Sequence, residues 1–348
     1  MAVLLAASAA FAVEGETEGE TEVATGAATG IATEEAPSDE LPRSRRSTGD
    51  DAAALAPVGL TDMGTLDRGD WALSYRYSLV NQDGMRNGTG REATRELLEV
   101  YDETPRKRRT HVHLLGVAYA PHSRVTLSAK LPVVSQKTHV QAGGPPPERF
   151  STESSGVGDL ELRALVPFMR KRGESFQIEM GLTAPTGSIS ERDRGGRLPF
   201  PQQLGSGTVD LLPGFVYRGR WQLLSWGVVG RATFRVYENS KDYRVGDDYL
   251  LSTWIAQSWG EWVSTSFRIS WNRHEAEHPE DSTTVNPEAD PKRQAGELLD
   301  LGPGVNFRLP VLGGPRLGVE MTWPFYQTLE GPQLEQDWQL NAGLEWAF

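Results

Sequence analysis

The sequence predicts an all-β fold, a transmembrane, antiparallel, up-and-down β-barrel of about twelve strands. Three observations carry that prediction. Stretches of roughly ten residues alternate apolar and polar side chains, which is the period of an extended strand. Their number is even. The connections alternate between short and long, as in bacterial outer-membrane barrels with short periplasmic turns and longer extracellular loops. The closing stretch shows the period well. Trp338, Leu340, Ala342, Leu344, Trp346 and Phe348 share one face, and Gln339, Asn341, Gly343, Glu345 and Ala347 share the other.

Composition agrees. The chain has 348 residues, enough for two soluble domains or one large barrel. With no Cys, it has neither disulfides nor thiolate metal sites. A net charge of -12 argues against nucleic acid as a partner. Its 10 Trp, 9 Tyr and 37 Gly suit strands and turns. No run approaches the ~18 apolar residues of a membrane-spanning helix, so a membrane role requires strands. There is no Gly-rich phosphate loop, and no cofactor is expected.

Residues 1–12, MAVLLAASAAFA, form an apolar run ending Ala10-Phe11-Ala12, an A-x-A cleavage pattern. We expect a secretory signal peptide here, possessing no basic n-region and so starting downstream of the true start. Residues 13–60 open with Glu-Thr-Glu-Gly-Glu-Thr-Glu and pass through Pro37, Pro42 and a basic cluster at Arg43, Arg45 and Arg46. They hold too little apolar surface to offset ordering and are expected to be a disordered acidic periplasmic linker. Within it, residues 13–56 are a candidate docking segment for a periplasmic partner.

The barrel is expected over 61–348. Its first strand, Gly69–Gln82, places Trp71, Leu73, Tyr75, Tyr77 and Leu79 opposite Ala72, Ser74, Arg76 and Ser78. A polar loop at 81–109 follows, with a short helix expected over 91–101. The second strand (110–120) and third (124–140) flank the turn Pro121-His122-Ser123. Next comes a Gly/Pro-rich loop at 141–155. The fourth (158–168) and fifth (about 176–183) are joined by a short basic turn. A long loop at 190–205 leads to the sixth (207–217). The turn Arg218-Gly219-Arg220 precedes the seventh (221–237). The eighth (243–258) and ninth (262–271) are joined at Trp259-Gly260-Glu261. A long acidic loop at 274–294 precedes the tenth (297–309), and the eleventh (316–327) and twelfth (337–348) complete the set.

The polar rows carry Arg76, Lys130, Glu161, Arg163, Glu179, Arg231, Arg235, Arg268, Arg308, Glu320 and Glu345. In a barrel these line the lumen, where fixed charges set selectivity. Arginines outnumber carboxylates in this set, so a mild anion preference is expected. Eight strands are filled by side chains and 16–18 leave an aqueous channel, so about twelve give a narrow or a plugged path.

Several stretches carry a family resemblance. Leu66-Asp67-Arg68-Gly69-Asp70-Trp71 followed by Ser74-Tyr75-Arg76-Tyr77 resembles the first strand of outer-membrane proteins in the family called MetA-pathway of phenol degradation, often described as transporters. The resemblance continues at Ser155-Gly156-Val157-Gly158-Asp159-Leu160, Ala184-Pro185-Thr186-Gly187-Ser188, Leu204–Leu211 and Tyr243-Arg244-Val245-Gly246-Asp247, and covers roughly residues 60 to 348. It implies a porin-like transporter in the outer membrane of a Gram-negative bacterium. No catalytic residues come with it. Phe348 resembles the C-terminal aromatic read by the barrel-assembly machinery.

Other candidates are less specific. His111 and His113 share one face of a strand at a spacing that can serve one metal, but more often such residues sit in a lumen or on a rim. His274-Glu275-Ala276-Glu277-His278 lies in a Pro-rich acidic loop, is not H-E-x-x-H, and reads as solvated. His122-Ser123 has no G-x-S-x-G elbow, which argues against an embedded lipase. The expected function is a non-enzymatic outer-membrane channel for small solutes, aromatic or other hydrophobic compounds among them. The alternatives are a closed structural or partner-binding barrel and, third, a lipase-like enzyme. Outer-membrane lipids are the expected surroundings.

Overall fold

The computed structural model describes residues 56–60, 64–171, 173–194, 196–278, 286–290, 293–310 and 314–348. The expected signal peptide and most of the expected linker lie outside these residues.

Alternating side chains become strands throughout. In chain order they are β1 (Trp71–Gly88), β2 (Glu103–His122), β3 (Val125–Ala142), β4 (Glu148–Val157), β5 (Leu160–Lys171), β6 (Glu174–Ala184), β7 (Gly214–Trp221), β8 (Leu224–Thr233), β9 (Asp248–Ser258), β10 (Val263–His274), β11 (Gly296–Arg308) and β12 (Arg316–Ala347). Each pairs antiparallel with its neighbour, and β12 returns to pair with β1. The seam runs without a register shift from Ala72↔Ala347 to Asn81↔Trp338, and Trp71 and Phe348 exchange both main-chain hydrogen bonds at 2.8 Å. Closure pairs the first and last strands of the ring, so neither end of the sheet presents an open edge to hydrocarbon.

β12 is 32 residues long. Laid straight it would span about 100 Å. Yet Arg316 Nη1 lies 3.2 Å from Glu345 Oε2, and the Gln327 side chain bonds the Gln336 main chain at 2.7 and 2.9 Å. The segment therefore folds back near Gly331, whose φ of 105° suits glycine. Its first arm pairs with β11 and its second with β1. Among the described residues the ring thus has eleven strands, one of them a hairpin that crosses the wall twice. The expected eleventh and twelfth strands are these two arms.

β4 sits on β3 beyond the end of β5. β3 pairs with β5 over Thr126–Lys130 and with β4 over Val133–Ala142. Between them Gly158 donates to the Pro132 carbonyl at 2.8 Å. Proline has no N–H to give, so the wall is interrupted at Pro132 and Gly158-Asp159.

The faces are inverted relative to a soluble protein. Many buried side chains are polar or charged, including Glu179, Glu320, Asn341 and Arg268, whereas Met180 (58%) and Ile255 (54%) are exposed on the outside. That is the arrangement of a barrel in lipid. At the short-turn end aromatic rings gather: Trp71–Tyr119 with centroids 4.5 Å apart, Trp346–Phe348 at 5.0 Å and Phe168–Phe176 at 6.0 Å. They form one of the girdles typical of such walls.

The long-loop end departs from expectation. β1 and β2 extend to Gly88 and Glu103 through the expected 81–109 loop, and β4 fills most of the expected 141–155 loop. Beyond the lipid both faces of a strand turn polar, so the ladder continues while the alternation disappears. The expected helix over 91–101 is one turn, Thr94–Leu97. The sixth strand starts at Gly214 rather than 207, and Arg218-Gly219-Arg220 lies inside it, with the turn at Gln222 (φ 54°).

Candidate functional site: the barrel lumen

The short-turn end of the lumen is occupied by the chain's own segment Ala56-Pro57-Val58-Gly59-Leu60. Ala56, Val58 and Leu60 are buried. Ala56 and Leu60 pack against Trp254 and Ala256 of β9. Polar wall residues grip the segment's backbone. Arg76 Nη1 donates to the Gly59 and Val58 carbonyls at 2.9 and 3.3 Å, and Arg316 donates to the Ala56 carbonyl. Gly59 N donates to Glu320 Oε2 at 3.0 Å. Wall glycines make the room, because a Cβ at Gly318 or Gly343 would come within 2.8 or 2.6 Å of the Val58 side chain. Residues 56–60, expected as the end of a disordered linker, are therefore a plug. Burial of three apolar side chains against a shaped wall, with backbone groups paired, fixes them there.

Around and above the plug the inner wall carries ion pairs. Arg268 Nε lies 2.6 Å from Glu320 Oε1, and its Nη1 donates to Ser270 Oγ at 2.7 Å. Arg231 takes both oxygens of Glu179 at 2.8 and 3.3 Å, in the forked geometry suited to guanidinium and carboxylate. Arg163 adds Glu161 at 3.3 Å and Glu179 at 3.9 Å. Lys130 faces Glu161 across the ladder. Glu345 pairs with Arg316. Arg235 pairs with Asp248 at 2.8 Å and approaches Asp210 at 3.7 Å. Arg308 lies at the short-turn rim, opposite Arg316 in register. Of the eleven charged residues expected on the inner rows, nine lie along inner strand rows, whereas Arg235 follows the end of β8 and Arg308 stands at the rim. The expectation of an anion preference changes, however. Asp159 and Asp300, which alternation also sets on the polar rows of 158–168 and 297–309, and Asp210, Asp248, Glu277 and Glu288 add carboxylates to the lumen, and Arg76 is spent on the plug.

Above the plug lies a cavity of 860 Å³. Its wall mixes Arg108, Arg163, Arg231 and Arg235 with Asp159, Glu161, Asp248 and Glu277, and with apolar Phe200, Leu204, Val245, Leu250 and Leu298. That volume suits a small organic ligand. Over it, Arg108 and Glu288 form a buried pair, and Met85, Leu97, Tyr101 and Leu334 build a small core in the loops.

The stretches that carried the family resemblance converge on the cavity wall. Asp159 accepts from Gly187 N at 2.8 Å and from Ser206 N and Oγ at 2.7 and 3.0 Å. Ser206 Oγ also lies 3.0 Å from Asp210 Oδ2, and Asn239 donates to the Ser206 carbonyl at 2.8 Å. This knot closes the wall where β3 and β5 part. Asp159 continues the polar row of β5, whereas Gly187, Ser206, Asp210 and Asn239 lie outside the strands, where no period exposes them.

His111 and His113 belong to the outer face, correcting their expected place in the lumen or on a rim. Inward Arg76 and Arg108 set the parity of β1 and β2, which leaves the two histidines with the outward tyrosines. His111 Nδ1 meets Tyr77 Oη at 2.8 Å, and His113 Nδ1 meets Tyr75 Oη at 2.8 Å. Each Nδ1 has its own tyrosine, and no cluster of metal-ligating side chains occurs among the described residues. In the turn His122 Nδ1 accepts from Arg124 N at 3.1 Å. Within the 274–278 stretch His278 is exposed, but His274 bonds Asp248 at 2.6 Å and Glu277 is 5% exposed, so these two are not solvated as expected. Burial raises the Glu277 carboxyl to about 8, with Arg235 and Arg197 pulling the other way.

Comparison with known proteins places this geometry. The family model described as putative MetA-pathway of phenol degradation matches residues 83–311. The crystal structure of an outer membrane channel from Pseudomonas putida F1 superposes with a TM-score of 0.58 at 16% identity, covering 82% of this chain and 98% of that one. A Pseudomonas aeruginosa FadL homologue gives 0.43 at 8% identity, over 85% and 96% of the two chains. The Pseudomonas putida toluene transporter TodX gives 0.40 at 8%, over 81% and 90%. No curated protein sequence matches.

Proposed function

Because the chain belongs to the family described as putative MetA-pathway of phenol degradation, we propose that it is an outer-membrane channel of a Gram-negative bacterium. Its solutes are small, with aromatic or other hydrophobic compounds the favoured class. The observation that carries this is the 860 Å³ cavity in the lumen, walled by both charged and apolar side chains. A purely structural barrel has no use for such a space, whereas a solute path needs a site that binds and releases. The short turns then face the periplasm, and the plug stands between the cavity and the periplasm. The described conformation is a closed one, and passage requires Ala56–Leu60 to move.

Supporting this, the plug's backbone is gripped by polar contacts, which water can replace when it leaves. Paired lumen charges give a path without a strong field of either sign, which suits uncharged solutes better than ions. The test is uptake of a labelled monoaromatic by cells that carry or lack this protein. Faster uptake in the carrying cells at low external concentration is expected. Equal uptake would favour the closed, partner-binding barrel instead.

A further inference from the structure

The outward face of β1, β2 and β3 changes character along its length. At the short-turn end Trp71 packs on Tyr119 with centroids 4.5 Å apart, and Leu127 stands opposite Tyr119 in the ladder. From there upward the outward rows carry Leu73, Leu79, Leu115, Val117, Leu131 and Val133. No Lys, Arg, Asp or Glu joins these rows over the next eight positions. Ten positions up, from Tyr119 to Arg109 and from Leu127 to Lys137, the face turns basic. Arg109 and Lys137 are directly opposite each other in register, and both are exposed. Lys107 is the next outward residue above Arg109, and Arg106 is exposed at the irregularity between Pro105 and Lys107. Lys107 pairs with Asp83 at 2.7 Å and Lys137 with Glu153 at 2.6 Å, in pairs open to solvent. Arg106 and Arg109 make no side-chain hydrogen bond or ion pair among the described residues.

Ten residues of a tilted strand rise about 25 Å, which is the height of the apolar band of such barrels. The basic row therefore stands where the headgroups of the outer leaflet begin. Two cations directly opposite on one sheet face repel each other. An anion set between Arg109 and Lys137 turns that repulsion into binding, and a guanidinium takes a phosphate in forked geometry. Ion pairs open to solvent are weak, so both lysines can exchange their carboxylates for a phosphate. β4 widens the surface, because it continues the sheet beside Lys137 beyond the end of β5. The apolar rows directly below offer acyl chains a wall, which a soluble phosphate would not use. We propose that Arg106, Lys107, Arg109 and Lys137 hold the phosphate groups of a phosphorylated glycolipid of the outer leaflet, the lipopolysaccharide of a Gram-negative membrane. The site lies on the outside of the barrel, apart from the lumen. It rests on the outer-membrane placement proposed above, with the long loops outward, and is independent of the solute.

In the experiment the full chain in detergent micelles is titrated with lipid A, the phosphorylated anchor of that glycolipid. Dephosphorylated lipid A and phosphatidylglycerol are titrated in parallel, and native mass spectrometry reads the bound fraction. Lipid A carrying both phosphates is expected to bind about tenfold more tightly than the dephosphorylated form. Arg109→Gln combined with Lys137→Gln should remove most of that difference. Arg124→Gln combined with Lys171→Gln, which takes the same charge from the exposed short-turn rim, should preserve it. Inorganic phosphate at the same concentration should leave the bound lipid in place. Heat-dependent gel migration confirms that each variant remains a closed barrel. Equal binding of the two lipid A forms overturns the proposal, as does a preference that survives the loss of Arg109 and Lys137. Phosphatidylglycerol bound as tightly as lipid A, or displacement by inorganic phosphate, also overturns it. Solute uptake together with phosphate-independent lipid binding removes this site and leaves the channel. Phosphate-dependent lipid binding without uptake removes the channel and leaves this site.

Discussion

Gly59 donates its main-chain N–H to Glu320 Oε2 at 3.0 Å, across 261 positions of sequence. The other oxygen of that carboxylate lies 2.6 Å from Arg268 Nε. One side chain therefore serves both the wall and the plug. Removing the plug leaves the wall pair intact, so the barrel can exist in a plugged and an unplugged form with the same lining. The predictions below follow from this separation between a self-sufficient wall and what it holds.

Glu179 is the most demanding member of the wall. It is fully buried and shared by Arg231 and Arg163. Glu179→Ala would leave two buried guanidiniums without their common carboxylate, a loss of about 3–5 kcal/mol. The expected result is a clearly lower temperature for the heat-dependent shift in gel migration. Glu179→Gln, which still accepts from Arg231, should fall less. Equal temperatures for the alanine variant and the unmodified protein would show that the network is not what stabilises this side of the lumen.

Phe348 and Trp71 exchange two main-chain hydrogen bonds at the seam. Deleting Phe348 removes that last rung and the terminal aromatic. Less protein should reach the membrane in folded form, while the fraction that inserts should bind solute normally. Normal assembly of the deletion would rule out a role for this residue in recognition by the assembly machinery.

The buried carboxyl of Glu277 makes the outer loops sensitive to pH. Its folded value is raised to about 8 from 4.5, so between these values the folded state holds a proton that the opened state releases. Local stability is then greatest below about 4.5 and falls as pH rises to about 8. The groups facing Glu277 are Arg235, Arg197 and Tyr243, with His274 and Asp248 paired nearby. Hydrogen exchange of residues 243–247 and 275–278 should quicken from pH 5 to pH 8.5 after correction for intrinsic rates. In Glu277→Gln that trend should be much reduced. The same trend in both proteins would assign it to His274 or another group.

The wall was legible because lipid imposes a strict rule on every second residue. Arg76, Glu161, Arg231 and Glu320 were found inside by parity alone, and the sorted loops gave the ring its two ends. What parity could not show lies in backbone of no period. Ala56–Leu60 looked like the tail of a low-complexity segment, although Val58 and Leu60 bring apolar side chains just before the first strand, and Gly318 and Gly343 leave gaps in the inner rows. Asp159, Ser206 and Asp210 were visible as repeated Gly/Asp motifs but not as one knot, because their meeting depends on where β3 and β5 part. Glu277 sat among charged residues and prolines that read as solvent-exposed. His111 and His113 were misplaced for a simpler reason: polar side chains were assigned inward, whereas each of these has an outward tyrosine to bond.

The central claim is that a solute path exists and that Ala56–Leu60 closes it. Single-channel recording in planar bilayers tests this most directly, comparing the full chain with a variant lacking residues 56–60 and with Arg76→Gln, which weakens the grip on Val58 and Gly59. We expect small, infrequent conductance from the full chain, a several-fold larger and steady conductance from the deletion, and more frequent openings from Arg76→Gln. Identical traces from all three proteins, each shown to be inserted, would contradict the account.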